Sequence, residues 1–320
     1  MAPLFSSAMV PRMKYDTALE PHPEWKHAAP HRRHVIRPLG VPIVLHEWGD
    51  PEADPVVLVH GFLDHGRGFE PIALPLAEHY RVISYDARGH GESGWCDGYA
   101  WSVEVAELVE ILRWTGKPCF VIGHSRGGAM ATDAAIQAPE TVRKLINVDG
   151  FGPPPEGFVP PGIQSDDRTH AERMEHYLDR RRQDSGERTW RAYESIEALM
   201  GRRQRQNPRL GGSWLEHFVR IGSRRTETGF VWRADPMVTG GFGPWRPQWA
   251  ARQWPSLERP MLAVIGSEQD TWGPLPESML APRLARIPEL ERATVDDAGH
   301  FVHMEQPEAT VELARDWFAS

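Results

Sequence analysis

The sequence has few cysteines, few lysines and no long apolar run. Its only cysteines, Cys96 and Cys119, are not spaced as C-x-x-C, which argues against a disulfide scaffold and against a zinc or redox motif. Lysine supplies only four of the 36 basic residues, the net charge is −8, and no polybasic segment indicates a nucleic-acid partner. No stretch reaches the roughly 18 apolar residues of a membrane span, and the N-terminus lacks a signal-like apolar core. We therefore expect a cytoplasmic protein without a membrane partner.

Short apolar runs bounded by Gly, Pro or Asp alternate with helical patterns. At 320 residues, with 40% hydrophobic and 25% charged residues, the chain can form one α/β domain that carries an insertion. This alternation predicts a mostly parallel sheet with helices on both faces. The predicted strands cover 42–48, 55–61, 81–86, 118–124, 142–150, 260–266 and 291–296, and the predicted helices cover 101–116, 126–138, 276–286 and 308–318.

The alternation stops for about a hundred residues in the middle of the chain. We predict an irregular N-terminal arm (1–34), a core in two pieces (35–150 and 256–320) and a mainly helical cap inserted between them (151–255). Tryptophans are frequent in the insertion, where they can form its own core or line an apolar lid over a substrate pocket. They are Trp190, Trp214, Trp232, Trp245, Trp249 and Trp254.

A serine lies between two glycines in the pattern G-x-S-x-G, which runs from Gly123 to Gly127. A predicted strand precedes the motif and a predicted helix follows it, which is the context of the nucleophile elbow of α/β-hydrolases. A tight strand-to-helix turn strains the serine backbone and leaves no room for side chains two residues to either side. Ser125 is therefore the candidate nucleophile, and Gly123 and Gly127 are the elbow glycines.

A serine nucleophile needs a base, and the base needs an orienting carboxylate. His300 follows the last predicted strand and is the candidate base, with His303 as a less favoured neighbour. Asp270 follows the penultimate strand, and the order serine, acid, histidine is the order of this fold. Glu268 and Asp149 remain alternative acids, Asp149 because it ends the strand after the nucleophile helix.

An oxyanion hole needs two N–H donors, and we expect them from the backbone of Phe62 and Arg126. His60 is expected to brace the loop that carries Phe62, and the segment "DARGHGES" (86–93) is expected to brace the core. Neither is expected to take part in the chemistry. Candidate pocket residues are Asp64, His65, His124, Trp232 and Trp272.

Together the segments "HGF", "DARGHGES", "GHSRGG", the carboxylate after "VIG" and "GHF" make the chain resemble the α/β-hydrolase superfamily. "HGFLDH", "NVDGFGP" and "GFVWRADP" are similar to its serine-nucleophile, serine-hydrolase-like branch with a helical cap. The resemblance implies an eight-stranded sheet, a lid inserted after the sixth strand and a cofactor-free Ser-Asp-His mechanism. Ser125 stands where haloalkane dehalogenases and epoxide hydrolases carry Asp, and "HGFLD" replaces the "HGGPG" of proline iminopeptidase-like enzymes.

These patterns predict an esterase or lactonase that works through an acyl-enzyme, without a metal or cofactor. Its substrate is expected to be a small molecule, bulky or apolar, and the protein a monomer or homodimer. Carbon–carbon bond hydrolysis, cofactor-free perhydrolysis and a ligand receptor with little turnover are the alternatives, since all three can use this scaffold.

Overall fold

The computed structural model describes residues 17–152, 169–183, 190–239 and 251–320. Eleven strands lie in these residues. They are β1 (Thr17–Ala18), β2 (Arg32–Ile36), β3 (Ile43–Trp48), β4 (Pro55–Val59), β5 (Arg81–Asp86), β6 (Cys119–His124), β7 (Val142–Val148), β8 (Ser223–Thr226), β9 (Gly229–Trp232), β10 (Met261–Gly266) and β11 (Leu290–Val295).

The described α-helices flank these strands, and short 3₁₀ turns connect several of them. The helices are α1 (Glu70–Leu76), α2 (Trp101–Trp114), α3 (Arg126–Gln137), α4 (His170–Gln183), α5 (Ile196–Gln204), α6 (Gly212–Ile221), α7 (Glu277–Leu284), α8 (Val302–Glu305) and α9 (Pro307–Ala319). Among the described residues, no helix has the length and apolar character that crossing a membrane requires.

Eight strands form one sheet in the order β11-β10-β7-β6-β4-β5-β3-β2. Only β3 runs antiparallel to its neighbours, β2 and β5, and all other pairs are parallel. The predicted α/β-hydrolase fold, with an eight-stranded and mostly parallel sheet, is confirmed. In such a sheet the carboxyl ends of β4, β6, β7 and β10 share one edge, where ligands of open α/β sheets bind.

Both faces of the sheet are buried, which explains why its strands are apolar at consecutive positions. In β4, Val57 and Val59 belong to the apolar cluster on one face and Val56 and Leu58 to the cluster on the other, because neighbouring side chains point to opposite faces. Helices α2, α3 and α7 pack on the first face, and α1 and α9 pack on the second. The central strands are thus fixed by packing on both sides.

The chain between β7 and β10, residues 151–255, is called the insert below. Its described part holds α4, α5, α6 and the antiparallel hairpin β8–β9. Trp214, Leu215 and Phe218 of α6 and Leu199 of α5 form a separate apolar cluster. Three other tryptophans of the insert have different contacts. Trp232 packs on this cluster, and the indole N–H of Trp190 donates to the carbonyl of Ala234. Trp254 belongs to the main core, beside Phe151. Trp245 and Trp249 lie outside the described residues.

The described part of the predicted N-terminal arm, residues 17–34, holds β1, a 3₁₀ turn and the start of β2. The expected boundary at residue 34 falls inside β2, which pairs with β3 over its whole length, so the core begins by Arg32. Thr17 and Ala18 pair with Arg225 and Arg224 of the insert. Trp25 packs against Trp214 in a tilted arrangement, with 4.6 Å between ring centroids. The segment 17–31 therefore lies against the insert, and residues 1–16 are outside the described part.

Candidate active site

Ser125 occupies the sharp turn between β6 and α3. Its φ of 54° and ψ of −122° lie outside the helical and extended regions, as the elbow prediction requires. A Cβ on Gly127 would lie 2.2 Å from the carbonyl oxygen of Val59 and 2.5 Å from that of His60. The close approach of β4 and α3 is therefore possible only because Gly127 has no side chain.

The loop after β4, residues 61–65, lies directly against the elbow and is called the β4 loop. A Cβ on Gly61 would be 3.3 Å from Cβ of Ser125 and 2.9 Å from Nδ1 of His124. Leu63 adopts a left-handed φ of 57°, which is uncommon for a leucine. The β4 loop carries Phe62, and α3 begins at Arg126, so the two predicted oxyanion donors lie in the segments that adjoin Ser125, and their role stays a prediction.

Two histidines brace the β4 loop, as expected for His60. His60 accepts the N–H of Ala87 on Nε2 (3.0 Å), so its Nδ1 donates to the carbonyl of Gly61 (2.7 Å). His90 lies in "DARGHGES" and accepts the N–H of Leu63 at 3.3 Å. In the same segment Asp86 accepts the N–H groups of Gly66 and Glu92. The predicted bracing roles are confirmed.

Asp149, and not Asp270, contacts the imidazole of His300. Nδ1 of His300 is 2.6 Å from Oδ2 of Asp149, and both side chains are buried. Asp149 follows β7 in a left-handed conformation (φ 45°), which turns its carboxylate toward the β11 side of the sheet edge. The prediction that Asp270 contacts the ring is therefore wrong. The alternative acid, Asp149, makes that contact.

Asp270 instead holds the backbone around His300. Its Oδ2 accepts the N–H of His300 at 3.0 Å, and its Oδ1 accepts the N–H groups of Trp272 (2.8 Å) and Gly273 (3.3 Å). The other alternative acid, Glu268, is half exposed and lies 3.6 Å from the guanidinium of Arg209. Two carboxylates thus bind His300: Asp149 binds its ring, and Asp270 binds its backbone N–H.

The charges around His300 favour its protonated form. Burial lowers the pKa of His300, but the hydrogen bond and charge of Asp149, together with the charges of Asp270 and Asp64, outweigh burial and raise the pKa above its usual value. An imidazole with a raised pKa is a stronger base toward a serine hydroxyl. Among the described residues Ser125 makes no hydrogen bond to His300, and such bonds are often loose before substrate binds.

His124 links the elbow to the histidine loop. Its Nε2 donates to the carbonyl oxygen of His300 at 2.9 Å, and its ring centroid lies 4.8 Å from that of His300. Burial, together with the charges of His303 and His300, lowers the pKa of His124 well below its usual value. A neutral ring that donates from Nε2 keeps Nδ1 unprotonated. His124 is therefore a buried, neutral side chain that connects the elbow to the backbone of His300.

The remaining candidate pocket residues have different surroundings. Asp64 and His65 are buried and contact the insert, through Arg203 and through the carbonyl of Phe218 respectively. Trp232 packs against the apolar cluster of the insert. Trp272 is 44% exposed on the loop after β10, next to the residues that Asp270 holds. Of the five, Trp272 is the most exposed, and its contact with substrate stays a prediction.

Sequence patterns did not single out Arg203, which lies in α5 of the insert. Its Nη2 donates to Oδ1 of Asp64 at 2.7 Å, and its guanidinium lies over the rings of Phe218 (4.6 Å) and Phe301 (5.0 Å). Arginine is common in the insert, and Arg203 differs from most of the others because it is buried, as Arg224 also is. No local signal could have predicted this contact.

The strained serine between β6 and α3, with a histidine from the loop after β11, defines the catalytic scaffold of an α/β-hydrolase. The chain belongs to the alpha/beta hydrolase family, whose sequence pattern matches residues 56–313. The match spans both parts of the core and the insert between them.

Several curated relatives are similar over most of the chain. It is 28% identical to 3-hydroxybutyrate-oligomer hydrolase of Cupriavidus necator, covering 88% of this chain and 95% of the relative. It is 26% identical to sn-1-specific diacylglycerol lipase ABHD11 of Mus musculus (89% and 87%), and 27% identical to esterase Rv0045c of Mycobacterium tuberculosis (84% and 83%). These relatives support hydrolase activity.

Solved structures share the fold at lower sequence identity. The thioesterase domain from the curacin biosynthetic pathway superposes with a TM-score of 0.73 at 21% identity, covering 89% of this chain and 98% of that one. E-2-(acetamidomethylene)succinate hydrolase superposes with a TM-score of 0.71 at 19% identity, covering 90% and 99%. The covered share is larger than the two core segments together, so the similarity includes residues outside them.

Proposed function

We propose that this protein is a serine hydrolase that cleaves carboxylic esters or lactones through an acyl-enzyme. The carrying observation is the strained Ser125 elbow beside a buried His300 that is hydrogen-bonded to Asp149. A free serine hydroxyl is a poor nucleophile near neutral pH, so a paired and oriented imidazole is the feature that a general base requires.

In the proposed reaction Nε2 of His300 takes the hydroxyl proton of Ser125 as the serine oxygen attacks the carbonyl carbon. The carbonyl electrons move to oxygen, and the N–H groups of Phe62 and Arg126 stabilise that charge. The imidazolium then protonates the leaving alcohol as the carbon–oxygen bond breaks. A water molecule then gives a proton to His300 as its oxygen attacks the acyl carbon. The bond to the Ser125 oxygen breaks, the acid leaves, and the imidazolium returns the proton to Ser125.

Asp149 stabilises the imidazolium and fixes the tautomer with its proton on Nδ1, which leaves Nε2 facing the serine. Asp270 supports the reaction indirectly, because its hydrogen bond to the N–H of His300 fixes the loop that carries the ring. The ester class is supported by the names of the relatives, among which are an oligomer hydrolase, a lipase and an esterase.

The experiment is a substrate panel on the wild type and on Ser125→Ala. The panel contains short p-nitrophenyl esters, small and macrocyclic lactones, amides and a vinylogous diketone. We expect ester or lactone turnover that falls by about 10⁴-fold or more in Ser125→Ala, because the variant lacks the nucleophile. Circular dichroism spectra should match, since the substitution removes one oxygen from a half-buried site.

A fluorophosphonate probe provides the second readout, since it labels only an activated serine. Mass spectrometry should locate the label on Ser125. Equal turnover by wild type and Ser125→Ala would refute the mechanism. A preference for the diketone would assign carbon–carbon bond hydrolysis, and an unlabelled Ser125 without turnover would favour a receptor.

A further inference from the structure

The β4 loop is held from two sides. On the core side His90 accepts the N–H of Leu63 at 3.3 Å. On the insert side Arg203 donates to Asp64 at 2.7 Å, and His65 contacts the carbonyl of Phe218 at 3.1 Å. The residues just after Phe62 therefore form the point at which two helices of the insert, α5 and α6, meet the core.

The Arg203–Asp64 pair is buried, since Asp64 is 3% and Arg203 is 7% exposed. A buried ion pair contributes little net stability compared with apolar residues of similar size, whereas breaking one partner is costly. Net stability therefore does not explain why this pair lies between the insert and the core. The position of the pair beside the proposed catalytic loops explains it better.

Arg203 contacts both loops that carry the proposed catalytic groups. Besides binding Asp64 in the β4 loop, its guanidinium lies 5.0 Å from the ring centroid of Phe301, the residue after His300. Asp64 in turn places Oδ2 at 3.9 Å from Nδ1 of His124, the residue before Ser125. One side chain of the insert thus lies among the β4 loop, the elbow and the histidine loop.

The β4 loop also needs external support. Leu63 has a φ of 57°, a conformation that is unfavourable for a residue with a side chain and persists only where neighbours impose it. Asp64 is the next residue, so its bond to Arg203 acts directly on the strained turn. Because Phe62 precedes Leu63, relaxation of the turn would move the proposed oxyanion donor.

We propose that Arg203 is a positioning residue: by binding Asp64 it holds the β4 loop, and with it the N–H of Phe62, against the Ser125 elbow. The proposal rests on the proposed serine-hydrolase function, which it deepens. It makes catalysis in the core depend on a charge supplied by the insert.

The experiment compares Arg203→Met, Asp64→Asn and the double variant, with p-nitrophenyl butyrate and a fluorophosphonate as probes. Each single variant leaves a buried charged group without its partner and should lower Tm. In the double variant both charges are absent, so Tm should recover most of the loss. We nevertheless expect kcat and the labelling rate of Ser125 to stay about 10- to 100-fold below wild type, because a displaced oxyanion donor weakens transition-state binding, with KM changed less than about threefold.

A matched control is another buried pair between insert and core, His217 of α6 with Glu70 of α1, whose Nε2 and Oε2 are 2.6 Å apart; Glu70 also pairs with Arg67. The variant Glu70→Gln/His217→Leu removes this pair without touching the β4 loop. We expect it to lower Tm while kcat stays within about threefold of wild type, since KM and kcat effects of remote packing are small.

Hydrogen exchange gives a readout that does not depend on turnover. In the Arg203–Asp64 double variant, peptides covering residues 61–65 should exchange faster, with β6 and α3 unchanged. Wild-type kcat in a double variant of restored Tm would overturn the proposal, as would an equal kcat loss in the control pair. Absence of ester turnover and of Ser125 labelling in the wild type would instead overturn the proposed function itself.

Discussion

The core and the insert contribute to the site in different ways. In the core, functional groups sit on backbone turns at strand ends, such as Ser125 after β6 and Asp149 after β7, and both turns have a positive φ. The insert reaches the site through long charged side chains, such as Arg203 and Arg209, which contact Asp64 and the loop of Asp270. Backbone placement is rigid, whereas side-chain placement depends on how the insert docks.

This difference predicts that damage in the core is severe and specific, while damage in the insert is graded. Four predictions test this difference between the core and the insert.

The largest effect is expected from the two carboxylates that serve His300. Asp149→Asn should lower kcat by about 10³- to 10⁴-fold, because the imidazole loses the partner that fixes its tautomer. Asp270→Asn should lower kcat by about 10- to 100-fold, because its three acceptor contacts are to backbone N–H groups. Steady-state kinetics at one pH decide the order. A greater loss in Asp270→Asn would return the orienting role to Asp270.

Acid should destabilise the core through its buried histidines. Burial lowers the pKa of five core histidines. The pKa falls to about 3 for His65 and His303, and below the usual value for His60, His90 and His124. The unfolded chain binds protons on these groups near pH 6.5, so their stabilising contribution is complete above that pH and is lost as pH falls. His300, with its raised pKa, opposes this loss only in part.

Between pH 6.5 and 5.5 the free energy of unfolding should therefore fall, by about 1 kcal/mol for each ring that stays neutral in the folded protein. Urea titrations at both pH values measure the change. His303→Leu, which removes one of the five groups, should reduce the fall by about 1 kcal/mol. A free energy that is constant over this range would contradict the neutral, buried state of these rings.

Gly127→Ala tests the close approach of β4 and α3. The added Cβ would meet the backbone oxygens of Val59 and His60, which cannot rotate away. We expect a loss of about 3 kcal/mol in the free energy of unfolding, and loss of turnover in the remaining folded protein. Chemical denaturation and active-site labelling measure the two effects. A stable, active variant would show that β4 and α3 can move apart to accommodate the added methyl group.

Gly201→Ala is the corresponding change in the insert, with the opposite sign. Gly201 lies inside α5, and the nearest atom to its added Cβ is Nη1 of Arg205 at 3.9 Å. Alanine should stabilise the helix by about 0.5–1 kcal/mol, because it removes glycine's conformational entropy in the unfolded chain. Turnover should stay within about twofold. A clear activity loss would show that α5 must flex for catalysis.

The elements that the sequence failed to predict share a physical cause. Strand β2 is polar and only partly buried, so its "RRHVI" lacks the apolar run that revealed the central strands. Helix α1 contains Pro71 and Pro75, which interrupt a helical pattern. The hairpin β8–β9 has only four residues in each strand. Short or edge elements are stabilised by tertiary contacts more than by their own pattern.

Local patterns were enough to predict the fold class, the central strands and the strained turn at Ser125, because the elbow is a backbone feature of five consecutive residues. The catalytic roles of Ser125 and His300 stay predictions. Partner choice was decided only by the tertiary structure. Asp149 and His300 are 151 residues apart, and Asp64 and Arg203 are 139 apart. Asp270 and Asp149 both follow strands at the same sheet edge, and sequence order favoured Asp270. The left-handed turn after β7 and the docking of α5 placed Asp149 and Arg203 instead, and such contacts depend on packing that no local pattern encodes.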